Sequence, residues 1–139
     1  EEIRPMPNTP HELYWQDFGR KTMNNIERGK RGEYAALEYL LKQGYVYRDR
    51  NFRAAKCEID LIVMDGDTLV FVEVKARHGS EYGTGREAVT AAKQRNIIKA
   101  AQIYAVNTGL IDNVIRFDVI EVDLDTLQVE HIIDAFRLN

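Results

Sequence analysis

The chain has 139 residues, 45% hydrophobic and 29% charged, the composition of one globular domain and not of a disordered or fibrous protein. Lysine and arginine number 19 against 22 acidic residues, and the formal charge of −3 argues by itself against a general polyanion binder. A single cysteine, Cys57, excludes a disulfide framework and a cysteine-based zinc finger and fits a reducing, cytoplasmic location. No apolar run nears the roughly 18 residues that cross a bilayer. The opening residues also lack the basic-then-apolar order of a secretion signal, so no membrane partner is expected.

Residues 1–24 hold all three prolines and no sustained periodicity. They read as an extension, with a short helix near Leu13–Phe18, ahead of a single domain over residues 25–139. Tyr34, Leu37, Leu40 and Leu41 recur at helical spacing, which predicts a helix over Asn25–Gln43 that stops at Gly44. Tyr45–Phe52 reads as a strand. Two apolar runs follow, EIDLIVM and TLVFVEVKAR, separated by Asp65-Gly66-Asp67, a strong hairpin signal. His78–Gly85 carries three glycines and reads as a loop. Arg86–Val106 returns to helical spacing, Val114–Val122 alternates as a strand, and Leu127–Ile133 is a weaker strand. The order is helix, three strands, helix, one or two strands, an α/β domain with a mixed sheet.

Charge is unevenly placed. Between Arg28 and Lys99 there are 14 basic and 10 acidic residues, a local +4 flanked by acidic ends. This is either a mixed solvated surface or a phosphate-contacting face around an acidic site.

The chemistry concentrates in the hairpin. Side-chain alternation puts Glu58 and Asp60 on one face, with Ile59, Leu61 and Val63 opposite. On the next strand Phe71, Glu73 and Lys75 share a face. A two-residue turn at Gly66-Asp67 pairs Asp65 with Thr68 and sets Asp60 opposite Glu73 and Glu58 opposite Lys75. A turn at Asp65-Gly66 would instead set Glu58 opposite Glu73. Both registers gather the carboxylates on one face, and directly opposed like charges require a cation or a shared proton between them. A hard, oxygen-seeking ion such as Mg²⁺ suits Asp60 and Glu73, with Lys75 in reach to orient or help deprotonate a water or to neutralise a phosphorane. The structural alternative is a Glu58–Lys75 ion pair with Asp60 and Glu73 at a wet strand end.

CEIDLIVMDGDTLVFVEVKAR resembles the core motif of the PD-(D/E)xK nuclease superfamily, with Asp60, Glu73 and Lys75 at its signature positions. With GKRGEYAALEYLLKQGYVYRDRNFR before it and AVTAAKQRNIIKAAQIYA after it, the stretch from Asn25 to Val122 resembles the bacterial YraN family, whose relatives in fold include archaeal Holliday-junction resolvases. The resemblance implies a restriction-endonuclease-like αβββαβ core, a mixed central sheet flanked by helices. It implies Mg²⁺ or Mn²⁺ held by Asp60, Glu73 and the Val74 carbonyl, with Glu33 or Glu58 completing the shell, and Lys75 acting on the water. Cys57 stands where the family usually has glycine, and the superfamily's proline is absent. Gln94, in a polar cluster with Lys93 and Arg95, matches a helix that orients the water in related nucleases; its plain reading is a solvated helix face. Arg48, Arg50, Arg53 and Lys56 cluster before the metal strand as candidate phosphate contacts. Arg77 and Arg86 flank the glycine loop and are placed to clamp a strand. His11, His78 and His131 are scattered, without metal-ligand spacing. The expected function is a metal-dependent DNA endonuclease, acting on branched or single-stranded forms. The alternative is a nucleic-acid-binding module with a nuclease fold and no cleavage. Junction-resolving relatives also make a homodimer an expectation.

Overall fold

The computed structural model describes residues 25–79 and 89–137. The expected N-terminal extension with its Leu13–Phe18 helix, and Arg86, lie outside the described residues. Helix α1 (Asn25–Lys42) leads into strands β1 (Val46–Ala54), β2 (Cys57–Asp65) and β3 (Thr68–Arg77). Helix α2 (Ala91–Asn107) and strands β4 (Ile115–Asp123) and β5 (Val129–Phe136) complete the αβββαββ order. The strands form one sheet in sequence order, parallel between β3 and β4 and antiparallel elsewhere. A parallel neighbour cannot be reached by a hairpin, and the segment carrying α2 makes the crossover. No helix among the described residues is long and apolar enough to cross a membrane.

Each face of the sheet has its own core. Under α1, Ala36, Leu37 and Leu40 pack on Leu61, Val63, Val70, Val72, Ile120 and Val122. Under α2, Ile97, Ala101 and Tyr104 pack with Ile62, Phe71, Phe117 and Val119. Burial on both faces explains why β2 and β3 read as near-continuous apolar runs.

The turns follow their residues. Gly44, at φ +93°, closes α1: its N–H reaches the Leu41 carbonyl at 3.1 Å and the Tyr45 N–H reaches Leu40 at 3.0 Å, a Schellman motif. The β2–β3 turn is Gly66-Asp67, with Asp65 paired to Thr68 and a positive φ at Gly66 alone, the type II′ pattern. The β1–β2 turn carries no such signal in the sequence. Ala55 and Lys56 occupy its two central positions at φ +51° and +60°, left-handed backbone at non-glycine residues.

Three expectations are corrected. The described part of α2 begins at Ala91, behind the Thr90 cap whose hydroxyl accepts the Lys93 N–H at 3.2 Å; Val89 and Thr90, counted into the helix by spacing, precede it. The last strand starts at Val129, because Asp123–Gln128 close a turn in which Leu127 takes φ +61° and donates to the Asp123 carbonyl. Ile59 does not share the side of Leu61 and Val63: it packs in the core under α2 while they pack under α1. On the neighbouring strand Asn51 adopts φ +52°, and the β1–β2 pairing skips the Asn51–Asp60 position between Arg50–Leu61 and Phe52–Ile59.

A buried polar network ties the far end of the sheet together. Asp118, fully buried, accepts Arg116 Nε and Nη2 at 2.9 and 3.0 Å, His131 Nε2 at 2.7 Å and the Asp134 N–H at 3.0 Å. Arg116 also reaches Asp65 and the Tyr45 hydroxyl, and Tyr39 meets His131 Nδ1 at 3.1 Å. Burial alone would raise the Asp118 carboxyl, but the His131 and Arg116 hydrogen bonds hold it below its ordinary range. Asp118→Asn is expected to cost about 3 kcal/mol in urea unfolding, since it leaves a largely buried guanidinium half-paired.

Gly32 sets how closely α1 lies on β3. A Cβ there would stand 2.9 Å from Ala76 Cβ, whereas one at Gly29 would meet nothing within 4 Å. Gly29→Ala is therefore expected to stabilise the protein by about 0.5–1 kcal/mol through helix propensity. Gly32→Ala is expected to lose that gain to overpacking of about 1–3 kcal/mol. Urea midpoints of the two variants, measured side by side, check the contrast.

Candidate active site

The β2–β3 ladder runs from Asp65–Thr68 to Leu61–Val72 and stops there. The next position in register is Asp60 opposite Glu73, as the Gly66-Asp67 turn requires. Instead of continuing the ladder, Asp60 Oδ2 accepts the Val74 N–H at 2.7 Å. Glu73 is 5% exposed and acts on Asp60 both as a neighbouring charge and as a side-chain hydrogen-bond partner. Helix α1 adds Glu33 to the group, its Oε1 accepting Asn51 Nδ2 at 3.0 Å.

Two ammonium groups answer this charge. Glu73 Oε2 lies 2.7 Å from Lys93 Nζ of α2 and 3.2 Å from Lys75 Nζ of its own strand. Lys75 is thus paired with Glu73, not with Glu58. Glu58 turns outward to Arg53, at 3.3 Å, so the alternative of a Glu58–Lys75 cross-strand pair does not form.

The electrostatics follow from burial of like charges. Desolvation first, then the charges of Glu73 and Glu33, push the Asp60 carboxyl well above its ordinary range, against the opposing Val74 hydrogen bond. Glu33 is pushed up to about 7, chiefly by burial and with help from Glu58 and Glu73, although the Asn51 hydrogen bond and Arg50 oppose it. Burial pulls the Lys93 ammonium down, but its hydrogen bond and attraction to Glu73 leave it above the usual lysine value.

Other expected residues are distributed differently from their sequence clustering. Among the described residues no three histidine, cysteine, aspartate or glutamate side chains form a ready-made metal cluster, and Asp60 and Glu73 stand as a pair. Gln94 Nε2 donates to the Val89 carbonyl at 3.0 Å, fastening the start of α2. The Arg48–Lys56 group separates, because the β1–β2 register shifts between Tyr47 and Asp49. Arg48 Nε donates to the Tyr104 hydroxyl under α2, and Arg50 lies over the Tyr34 ring of α1. Arg53 and Lys56 remain exposed, and Lys56 joins Cys57, Glu58, Asp60, Lys93 and Asn96 around a cleft of about 370 Å³. Arg77 Nε stands 3.9 Å from Glu121, a fully buried carboxylate that the sequence reading passed over.

A carboxyl whose folded pKa is raised retains a proton that the unfolded chain has lost, so its contribution to stability fades as pH rises through the folded value. For Glu33 the window runs from its ordinary 4.5 to about 7, and the loss is about 3 kcal/mol. Metal-free protein is expected to unfold at lower urea at pH 8 than at pH 5. Glu33→Gln, which keeps an acceptor for Asn51, should flatten that dependence, and urea titrations at the two pH values check it.

The sequence has close counterparts. Residues 32–122 match the model of the uncharacterised protein family UPF0102. A UPF0102 protein of Geobacter sulfurreducens is 44% identical over 123 residues, covering 86% of this chain and 96% of the relative. One from Chlorobium chlorochromatii is 47% identical over 121 residues, covering 81% and 93%. One from Symbiobacterium thermophilum is 52% identical over 95 residues, covering 68% and 80%. The matched span runs from the Gly32 contact through Glu33, Asp60, Glu73, Lys75 and Lys93 to the end of β4, and the chain belongs to the UPF0102 family, the YraN-like proteins its motifs resemble.

Proposed function

We propose that the protein is a metal-dependent nuclease that hydrolyses phosphodiester bonds in DNA. The observation that carries this reading is the Asp60–Glu73 pair, Glu73 buried and Asp60 half-buried, with Lys75 Nζ 3.2 Å from Glu73 Oε2. A carboxylate whose ionisation is opposed by desolvation and by a neighbouring buried carboxylate is a poor structural choice unless a cation offsets it. The donors of the pair are hard oxygens, the ligand type that Mg²⁺ and Mn²⁺ take. Asp60, Glu73 and the Val74 carbonyl would hold the ion, and Glu33 stands closest in charge to complete the set. Glu58 would need to leave Arg53 to take part. The bound ion would supply Lewis-acid polarisation of a phosphoryl oxygen.

The chain's own groups supply the rest. Lys75, 16% exposed, presents its ammonium beside the carboxylates, where it can donate to a water or to the charge developing on phosphate oxygens. Lys93 neutralises Glu73 from the α2 side and can release it to an incoming cation. The Val74 N–H holds one oxygen of the Asp60 carboxylate and fixes it against rotation.

One observation favours a second reading, a nucleic-acid-binding module without cleavage: two ammonium groups already satisfy Glu73 Oε2, and no three acids among the described residues stand close enough to form a metal cluster. Cleavage assays separate the two. With Mn²⁺, purified protein is expected to cut at least one of linear duplex, single-stranded and four-way-junction DNA. Asp60→Asn and Lys75→Met are expected to lower the rate by about 10²-fold or more. Absence of cutting on all three substrates, with Asp60→Asn indistinguishable from the parent, would leave the binding module.

A further inference from the structure

A second cleft, also about 370 Å³, opens on the α1 side of Lys75. Arg28 and Gly29 of α1 line it with Lys75 and Arg77 of β3, His78 and Leu124. Among the described residues its lining therefore contains four basic side chains and no acidic one, in a protein of net charge −3. Carboxylates stand behind the basic heads: Glu121 lies 3.9 Å from Arg77 Nε, and Asp125 Oδ1 lies 2.8 Å from His78 Nδ1. The Asp125 contact takes Nδ1 and so fixes the direction in which the second ring nitrogen, Nε2, points. Several basic side chains converging on one open cleft suit an anion even where some also touch a carboxylate, and guanidinium groups match the geometry of phosphate oxygens.

Lys75 belongs to both sites, since its ammonium contacts Glu73 and its side chain lines the cleft. Arg77 lies four residues beyond Glu73 along β3, about 13 Å of strand. From this juxtaposition we infer that the Arg28–Lys75–Arg77–His78 cleft binds a backbone phosphate of the nucleic-acid strand whose reacting phosphate sits at Asp60 and Glu73. Arg28 and His78 are then binding residues, contacting a phosphate that does not react. The identity of the ligand rests on the nucleic-acid reading above, but the site itself requires no cleavage.

Binding without metal tests it. Fluorescently labelled single-stranded and duplex oligonucleotides are titrated in EDTA across a salt series. The parent is compared with Arg28→Gln, His78→Gln and, as a control at the far end of the sheet, the exposed Arg137→Gln, with circular dichroism to verify folding. Arg28→Gln is expected to weaken binding severalfold and to reduce the slope of log K against log salt by about 0.7 on single strands or about 0.9 on duplex. His78→Gln should weaken binding without need of a slope change, and Arg137→Gln should leave both quantities at the parent values. If the parent binds while folded Arg28→Gln behaves as Arg137→Gln does, this site is overturned and the nuclease reading stands. Should Arg28→Gln not fold, His78→Gln decides by affinity alone. A parent that binds neither oligonucleotide overturns this site while the cleavage assay still decides the nuclease, and one that binds through the cleft but never cuts keeps the site and loses the nuclease.

Discussion

The parting of β2 and β3 beyond Leu61–Val72 is the constraint on which the site depends. Had the ladder continued, the Val74 N–H would have been available to a backbone carbonyl and Asp60 would have been one more residue of a central strand. With Asp60 taking that N–H, a side-chain oxygen replaces a backbone one, and the carboxylate is held beside Glu73 in a place it would otherwise avoid. The parting is built into more than one strand. Asn51, left-handed on β1, directs its amide to Glu33, and Ile59 turns to the opposite core from Leu61. Gly32 matters for the same reason. Its missing Cβ lets α1 lie against Ala76, and Glu33, the next residue, enters the charge field of Asp60.

The two ends of the sheet treat a buried aspartate in opposite ways, and the difference separates a structural group from a chemical one. Asp118 receives a bidentate arginine, a histidine and a backbone N–H, and its pKa falls although it is fully buried. Asp60 receives one backbone N–H and faces two carboxylates, and its pKa rises. Both are short acids on interior strands. What differs is whether the surroundings complete the hydrogen bonding of the charged form or leave it short of positive charge. A completed network locks β4 and β5 to the end of α1. An incomplete one retains the capacity to take up a cation or a proton, the property expected of a functional site.

Much of this was readable from the residues, and the failures have a common cause. The residues allowed two turns, both gathering the carboxylates on one face, and the structure takes Gly66-Asp67, with glycine at the first position, which sets Asp60 against Glu73 in register. The apolar runs placed both strands inside the sheet. What stayed hidden were departures from simple alternation. Ala55-Lys56 makes a tight turn with side chains that normally resist left-handed backbone, so nothing marked the β1–β2 hairpin. The β1 irregularities sent Arg48 and Arg50 to opposite faces, although alternation gives residues two apart a common side. His131 looked isolated because its partners, Asp118 and Tyr39, are 13 and 92 residues away. Lys93 was grouped with exposed neighbours, and only the crossover between β3 and β4 brings it to Glu73.

These placements also change the meaning of the net charge. Arg116 is bound to the Asp118 and Asp65 carboxylates, so this cation contributes little to the field outside. Asp118 and Glu121 are likewise fully buried, which removes acidic charge from the C-terminal strands as seen by solvent. Arg28, Lys75, Arg77, Lys56 and Lys93 line the two clefts beside Asp60 and Glu73, with Lys75 and Lys93 against Glu73 and Arg77 near Glu121. A polyanion responds to the local potential within about a Debye length, near 10 Å at 0.1 M salt, and not to a sum over the whole chain. A chain of charge −3 can therefore carry locally basic clefts, the setting that the proposed phosphate contacts call for, because part of its acidic charge lies inside the sheet.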